Sequence, residues 1–173
     1  MIADKNKYKI EPLRDHDRAA FSCGNPVLDR YLREQASQDV KRGLASVFIV
    51  TAKDDPKTIL AYYTLSSREL KLEQLPPEIA KKAGKYGRVG VTLLGRMAVA
   101  EQCKGTGLGS LTLLNALDRS VVAARDVASW AVFVEAIDAN AASFYRKYGF
   151  IELPEDRLKL FLPIATIAKA FVK

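Results

Sequence analysis

The sequence predicts an α/β fold in which a mixed, mostly antiparallel central sheet is flanked by helices, within a single domain covering residues 1–173. The chain has 173 residues, the length of one ordinary domain. Apolar residues make up 49% and charged residues 27%, a composition typical of globular proteins. Strand and helix patterns alternate along the chain, and a hairpin signal in the first half indicates antiparallel strands there.

The first predicted elements are a strand and a helix. Residues 8–13 predict a short strand. Asn25 has the residue type of a helix N-cap, and Pro26 suits the first helical position, where a missing N–H costs nothing. Apolar residues at helical spacing extend this helix to about Val40, and Gly43 ends it.

Three strands are predicted next. Residues 44–52 and 58–66 are rich in β-branched and aromatic residues, and the turn sequence Asp-Asp-Pro-Lys at 54–57 separates them. Residues 67–90 show no clear strand pattern. Residues 91–99 predict the third strand, whose apolar sequence indicates a central position with both faces buried.

The second half of the chain predicts alternating helices and strands. A glycine-rich turn at residues 105–109 leads into a long helix, and residues 130–136 predict an apolar strand. Asp138 is placed to cap a helix that runs to Tyr148. A strand at residues 158–162 and a final helix complete the predicted domain.

Charge and residue counts narrow the function classes. Lysine and arginine number 27 against 20 acidic residues, a net charge of +7 that favours phosphate-bearing or polyanionic partners. Cys23 and Cys103 are too few and too far apart for a zinc ribbon or a disulfide framework, so no metal is expected. The single histidine, His16, lies among charged residues and is expected in a solvated loop rather than a catalytic triad.

The expected location follows from the absence of export and membrane signals. No stretch of the chain approaches the ~18 consecutive apolar residues of a membrane span. The first ten residues lack the apolar segment of a signal peptide. We therefore expect a cytoplasmic protein without membrane contact.

The glycine-rich turn carries the strongest chemical signal. Residues 102–110, Gln-Cys-Lys-Gly-Thr-Gly-Leu-Gly-Ser, lie between a predicted strand and a helix, where exposed N–H groups favour a phosphate or pyrophosphate. A Walker A loop needs a lysine before Ser110, and a dinucleotide fingerprint needs its third glycine one residue later. What remains is Gln-x-x-Gly-x-Gly. The alternative, a turn rich in glycine for packing alone, stays open at this point.

The motif and its neighbours resemble the GNAT superfamily of acetyl-CoA-dependent N-acetyltransferases. Gln-x-x-Gly-x-Gly follows Leu-Gly-Arg-Met-Ala-Val at residues 94–99, and Ser-Phe-Tyr-Arg-Lys-Tyr-Gly-Phe comes at residues 143–150. The resemblance implies a GNAT-like domain whose cofactor cleft lies between the central strand and the next strand.

Further segments resemble the GNAT toxins of toxin–antitoxin modules. They are Phe-Ser-Cys-Gly-Asn-Pro-Val-Leu-Asp-Arg-Tyr-Leu at 21–32, Tyr-Tyr-Thr-Leu-Ser at 62–66 and Leu-Phe-Leu-Pro at 160–163. The resemblance implies acetylation of the α-amino group of aminoacyl-tRNA, a block of translation, and neutralisation by a ribbon-helix-helix antitoxin. Two other functions stay open: a GNAT enzyme acting on a protein or small-molecule amine, and a basic RNA-binding module with a degenerate turn. Self-association into a homodimer stays open as well.

The resemblance also implies roles for individual residues. Tyr145 would be the general acid that protonates the CoA sulfur, a role that suits a phenol of pKa ~10. Many GNAT enzymes have Asn seven residues before this tyrosine; Asp138 stands there and Asn140 follows, so either side chain could contact the pantetheine arm. The predicted cofactor-binding residues are Met97, Ala98, Val99, Lys104, Gly105, Thr106, Gly107, Leu108, Gly109, Ser110 and Asn140.

The acceptor side is less defined. No strong general base is visible, which favours an α-amine of pKa ~7.7–8 over a lysine amine at ~10.4. Glu135 is either a base acting through water or a solvated strand end. Arg96 either meets the RNA or pairs internally with a carboxylate. A basic run is either a solvated face or a tRNA phosphate contact, and Tyr86 within it could stack on a base. The run consists of Lys81, Lys82, Lys85 and Arg88.

Overall fold

The computed structural model describes residues 1–171. Within them, seven strands form a sheet in the order β1-β2-β3-β4-β5-β7-β6. The strands are β1 (Tyr8–Pro12), β2 (Ser46–Ala52), β3 (Ala61–Lys71), β4 (Arg88–Val99), β5 (Ala131–Glu135), β6 (Ile151–Leu153) and β7 (Asp156–Pro163). The helices are α1 (Pro26–Arg30), α2 (Ala36–Lys41), α3 (Pro77–Ala80), α4 (Leu108–Ala123), α5 (Ala139–Lys147) and α6 (Ile164–Phe171). The predicted α/β class with a mixed, mostly antiparallel sheet is confirmed.

The chain forms two compact units. The first unit contains residues 1–66 and 95–116, and the second contains residues 67–94 and the described chain from Leu117 onward. In the first unit β1 pairs antiparallel with β2, and β2 with β3. In the second unit β4 pairs parallel with β5, and β7 lies antiparallel to both β5 and β6. A single domain over residues 1–173 stays a prediction.

The helix predicted from Asn25 to about Val40 is confirmed, with an interruption that the spacing did not show. The Asn25 side chain accepts hydrogen bonds from the backbone N–H groups of Val27 and Leu28, and Pro26 occupies the first turn. Between α1 and α2 the backbone widens into a π-helical turn at Tyr31–Gln35. Such turns change which side chains share a face of the helix.

The core of the first unit contains a cluster of aromatic rings among aliphatic side chains. Tyr62 on β3 is fully buried; its ring contacts Phe21 edge-on at 5.5 Å between centroids and stacks on Tyr31 at 6.4 Å. Leu32 and Ala36 are also fully buried here. Each large side chain in this core stabilises the fold by ~1.5–3 kcal/mol.

The second unit has a separate core. Val91, Phe133 and Phe161 are buried together, and Trp130 stacks on Phe161 at 5.5 Å between ring centroids. Strand β6 was missed from the sequence because three residues are too few to show a period of two.

The strand predicted at residues 91–99 begins earlier, at Arg88, and is not buried on both faces. Val91, Leu94 and Ala98 are buried, whereas Arg96 is exposed. The apolar sequence suggested a fully buried strand, but partly exposed apolar side chains are normal in folded proteins.

His16 corrects a second expectation. Its residue exposure is 7%, so this side chain is buried, although the neighbouring Arg14, Asp15 and Asp17 are exposed. Nδ1 accepts a hydrogen bond from the backbone N–H of Arg14 (3.2 Å), and Nε2 lies 3.0 Å from the Glu11 carboxylate. Both ring nitrogens are therefore used in holding the turn.

Across residues 1–171, none of the helices combines the length and the apolar character needed to traverse a bilayer.

Candidate active site

The glycine turn joins the end of β4 to the start of α4 in the first unit. Gly105 and Gly107 have φ of +77° and +84°, in the left-handed region that glycine enters without a steric penalty. The first helical hydrogen bond of α4 runs from the Leu111 N–H to the Gly107 carbonyl (3.1 Å). The N–H groups of the first helical residues therefore precede the intrahelical bonding and form an anion-binding end. These residues are Leu108, Gly109 and Ser110.

The two left-handed glycines of the turn differ in the space around their Cβ positions. A Cβ on Gly107 would lie 2.7 Å from the Ala3 nitrogen and 2.9 Å from the Ile2 carbonyl carbon. The Ala3 N–H also donates to the Gly107 carbonyl (3.1 Å). A Cβ on Gly105 would meet nothing within 4 Å. Chain packing therefore explains the glycine at 107, whereas the space beside Gly105 is open to a ligand.

The end of β4, just before the glycine turn, is packed and hydrogen-bonded within the first unit. Ala98 is buried, while Met97 and Val99 are half-buried. The Ala100 N–H donates to the Leu60 carbonyl (2.8 Å). Val99 packs against a small core that includes Leu108. The end of β4 and the start of α4 are therefore packed into the same small apolar core.

Two polar side chains of the turn bond to the protein itself. Lys104 Nζ donates to the Cys23 carbonyl at 2.5 Å, and Thr106 Oγ1 donates to the Cys103 carbonyl at 2.5 Å. The Lys104 ammonium therefore lies on the segment at residues 21–24.

Tyr145 lies on α5 in the second unit, with 8% of its surface exposed. The rings of Phe144 and Phe150 flank it at 5.6 and 5.4 Å between centroids. Desolvation by burial raises the pKa of the phenol to about 12, so it stays protonated throughout the neutral range.

The Tyr145 hydroxyl differs from the other buried tyrosine hydroxyls. Tyr31, Tyr62 and Tyr63 donate to Asp39 Oδ2 (2.8 Å), the Leu28 carbonyl (2.7 Å) and Asn115 Oδ1 (2.6 Å). Among residues 1–171, the structure records no acceptor for the Tyr145 hydroxyl. Its proton is therefore available to a bound molecule.

Asp138 and Asn140, the two residues that the sequence offered as contacts to the pantetheine arm, lie at the start of α5. Asp138 Oδ1 accepts a hydrogen bond from the Ala141 N–H (2.8 Å), so this carboxylate serves as the helix cap. Asn140 is exposed in the first turn. The structure thus assigns Asp138 to the cap, and the contact of Asn140 with the pantetheine arm stays a prediction.

Arg96 forms a contact that sequence reasoning missed. Its guanidinium carbon lies 3.7 Å from the centroid of the Tyr31 ring, a cation–π contact of ~0.5–2 kcal/mol. Burial, with the hydrogen bond to Asp39, raises the pKa of Tyr31 to about 12. In the sequence Tyr31 shows only helical spacing of apolar residues, and nothing links it to a strand residue so distant in the chain.

The remaining charged candidates lie in the second unit and are exposed. Lys81, Lys82 and Lys85 precede Tyr86 in the chain, and the exposed fraction of Tyr86 is 92%. The Arg88 guanidinium contacts Glu69 Oε1 at 2.9 Å. Glu135 forms an ion pair with Arg68 at 2.8 Å and is 44% exposed at its side chain.

Comparison with known proteins gives the class of this fold and site. Residues 86–163 match the family described as Acetyltransferase (GNAT) domain. The protein is an acetyl-CoA-dependent N-acetyltransferase.

Relatives of similar length refine this class. A tRNA-acetylating toxin of Mycobacterium tuberculosis is 34% identical over 146 residues, which are 84% of this chain and 85% of the relative. The structure of AtaT complexed with acetyl-methionyl-tRNAfMet is 27% identical, covers 95% of this chain and 99% of that one, and superposes with a TM-score of 0.88. AtaT bound to the C-terminus of the antitoxin AtaR is 26% identical, covers 96% and 99%, and has a TM-score of 0.83. The chain belongs to the toxin branch of the GNAT acetyltransferase family.

The two glycines of the turn give a stability prediction. Gly105→Ala should lower the free energy of unfolding by ~1–2 kcal/mol, the cost of a left-handed alanine. Gly107→Ala should lower it further, because its Cβ would also collide with the backbone at Ala3. Urea unfolding of the two variants measures both losses. Equal losses would show that the segment at Ile2 and Ala3 does not pack on Gly107.

Proposed function

We propose that this protein transfers the acetyl group of acetyl-CoA to the α-amino group of an aminoacyl-tRNA, and acts as a toxin by blocking translation. The main support for an aminoacyl-tRNA acceptor is the similarity, over 84% of the chain, to a tRNA-acetylating toxin. The buried, neutral phenol of Tyr145 and the open amide groups of the glycine turn support the transfer chemistry.

The first unit supplies the proposed acetyl-CoA contacts. The N–H groups at the start of α4, together with the open space at Gly105, fit a pyrophosphate. Backbone groups of residues 97–99 would hold the pantetheine and polarise the thioester carbonyl, a stabilisation of ~2.7–4 kcal/mol for each well-placed donor. Asn140 of the second unit is a further proposed contact.

Tyr145 is the proposed general acid. Acetyl-CoA supplies the acetyl group as a thioester, which the neutral amine attacks at the carbonyl carbon. As the carbon–sulfur bond breaks, the Tyr145 hydroxyl gives its proton to the sulfur, and the amine nitrogen loses one proton to solvent. Tyr145 regains a proton from solvent before the next turnover. The raised pKa of Tyr145 keeps this proton in place before the reaction.

The acceptor needs little help from a base. An α-amine of pKa ~7.7–8 is already partly neutral near pH 7. The Glu135 carboxylate is already engaged by the Arg68 guanidinium at 2.8 Å. This combination favours an aminoacyl group over a lysine side chain as the acceptor.

The proposed tRNA contacts are basic. Lys81, Lys82, Lys85 and Arg88 are exposed, and the guanidinium of the exposed Arg96 lies over the Tyr31 ring. Lysines contact phosphates as point charges, and a guanidinium plane can stack on a base. We further propose that a ribbon-helix-helix antitoxin neutralises the protein and that it acts in the cytoplasm, where charged tRNA is found.

The acceptor can be identified directly. Purified protein should transfer labelled acetyl to aminoacylated tRNA and leave deacylated tRNA unlabelled, because only the former carries a free α-amine. Mass spectrometry of the products locates the acetyl group. Transfer to deacylated tRNA, or to free amines alone, would overturn the proposal.

The role of Tyr145 predicts a separation of binding from chemistry. Tyr145→Phe should lower kcat by at least 100-fold and leave the acetyl-CoA dissociation constant near that of the wild type, since only the transferable proton is removed. Tyr148→Phe, on the same helix, is the matched control and should retain turnover. Steady-state kinetics and calorimetry measure the two quantities. A Tyr145→Phe enzyme with near-normal turnover would refute the assignment.

The basic run predicts a salt-dependent loss. Changing Lys81, Lys82 and Lys85 together to Gln should raise KM for aminoacyl-tRNA about tenfold or more and flatten its dependence on salt, because fewer phosphates are neutralised. The same change at the exposed Lys5, Lys7 and Lys53 removes equal charge elsewhere and should have a smaller effect. Arg88 is left unchanged because it pairs with Glu69. Equal effects of the two triple variants would argue for general attraction only.

A further inference from the structure

The residues around Lys104 are attached to a segment near the start of the chain, within the first unit. Lys104 Nζ donates to the Cys23 carbonyl at 2.5 Å, and the Glu101 N–H donates to the Ser22 carbonyl at 2.9 Å. Two consecutive carbonyls of residues 22 and 23 therefore hold the chain at residues 101–104, just before the glycine turn. We refer to residues 21–24 as the brace.

The brace is itself anchored in the protein. The Cys23 N–H donates to Asp29 Oδ1 on α1 at 2.9 Å, and Asp29 has only 9% of its surface exposed. The side chains of Phe21 and Cys23 are buried in the aromatic core. Burial, with the hydrogen bond to Asp29, raises the pKa of the Cys23 thiol to about 11, so this sulfur packs as an apolar group and is not a nucleophile.

Gly24 shows how closely the brace approaches the turn. Its φ is +86°, and a Cβ built on it would lie 2.8 Å from Glu101 Oε1 and 3.4 Å from Lys104 Nζ. A side chain at this position would enter the space of the two residues that the brace holds. The Cys-Gly pair of the N-terminal motif thus provides a carbonyl acceptor followed by a position without a side chain.

We propose that Lys104 is a positioning residue, which holds the glycine turn for acetyl-CoA through the Cys23 carbonyl and does not contact the pyrophosphate itself. This rests on the proposed binding of pyrophosphate at the turn. The flanking glycines have many accessible conformations, and a turn fixed before binding loses less entropy when the ligand arrives. Asp29 contributes from the other side of Cys23, because it holds the N–H of the peptide that immediately precedes the carbonyl bonded to Lys104.

The test is a pair of matched substitutions with calorimetric titration of acetyl-CoA into the full chain. Lys104→Met removes the donor and should weaken acetyl-CoA binding about tenfold, whereas Lys104→Arg keeps a donor and should restore most of it. Asp29→Ala removes the acceptor for the Cys23 N–H and should weaken binding similarly; Asp29→Asn retains an acceptor oxygen and should not. Lys53→Met controls for the loss of one charge.

The double variant separates positioning from direct contact. If Lys104 acts through the brace, Asp29→Ala combined with Lys104→Met should bind acetyl-CoA no more weakly than the weaker single variant, since each substitution releases the turn from the same brace. If Lys104 contacts the pyrophosphate, Asp29→Ala alone should have little effect, or the two losses should multiply. Unchanged binding by Lys104→Met would also overturn the proposal.

Two further measurements keep the result interpretable. Thermal unfolding identifies variants that fail to fold; should Asp29→Ala be one, Gly24→Ala replaces it in the cycle, because it disturbs the brace at its contact with Lys104. Binding of acetyl-CoA is independent of the acceptor. If aminoacyl-tRNA is not the acceptor, these titrations of acetyl-CoA are unchanged. If Lys104 does not act through the brace, the assignment of the acceptor is unaffected.

Discussion

The burial of Leu108 determines the geometry at the start of α4, and the glycine turn depends on it. Leu108 is 1% exposed and lies in a small core with Val50 of β2 and Ala61 of β3. This contact of ~1.5–3 kcal/mol fixes the first helical residue against the sheet. The chain between Val99 and Leu108 must then turn sharply, which requires left-handed backbone at Gly105 and Gly107. The N–H groups at the helix start, which have no acceptor within any α-helix, are thereby held at the end of this turn.

The same unit shows that glycine and lysine in a ligand-binding motif can serve the protein itself. Gly107 accommodates the backbone at Ile2 and Ala3, and Lys104 bonds to the Cys23 carbonyl. Of the two left-handed glycines of the turn, Gly105 is the one with empty space around its Cβ position. A motif is therefore a mixture of contacts to ligand and contacts that shape the loop, and residue type alone does not distinguish them.

Two buried tyrosines of this protein have similar pKa values but differ in the partners of their hydroxyl groups. Tyr31 and Tyr145 both have their pKa raised to about 12. Tyr31 donates its proton to Asp39 and offers its ring to Arg96, which makes it a structural support. Tyr145 is surrounded by phenyl rings and has no recorded acceptor in the described chain, so its proton is not committed. The presence or absence of an acceptor, and not the pKa, distinguishes the two.

The sequence by itself determined the α/β class, the hairpin at residues 44–66, the helix caps at Asn25 and Asp138, and the glycine turn, because these depend on residues close together in the chain. Only the tertiary structure decided that His16 is buried, that Arg96 stacks on Tyr31, and which glycine is free for a ligand. The contacts of Arg96 and of the glycines join residues distant in sequence, for which no local pattern exists. The partners of His16, Glu11 and Arg14, are close in sequence, but nothing in the residue types shows that the ring is buried. The short β6 and the π-helical turn escaped prediction because neighbouring strands and helices, rather than local propensity, stabilise such brief elements.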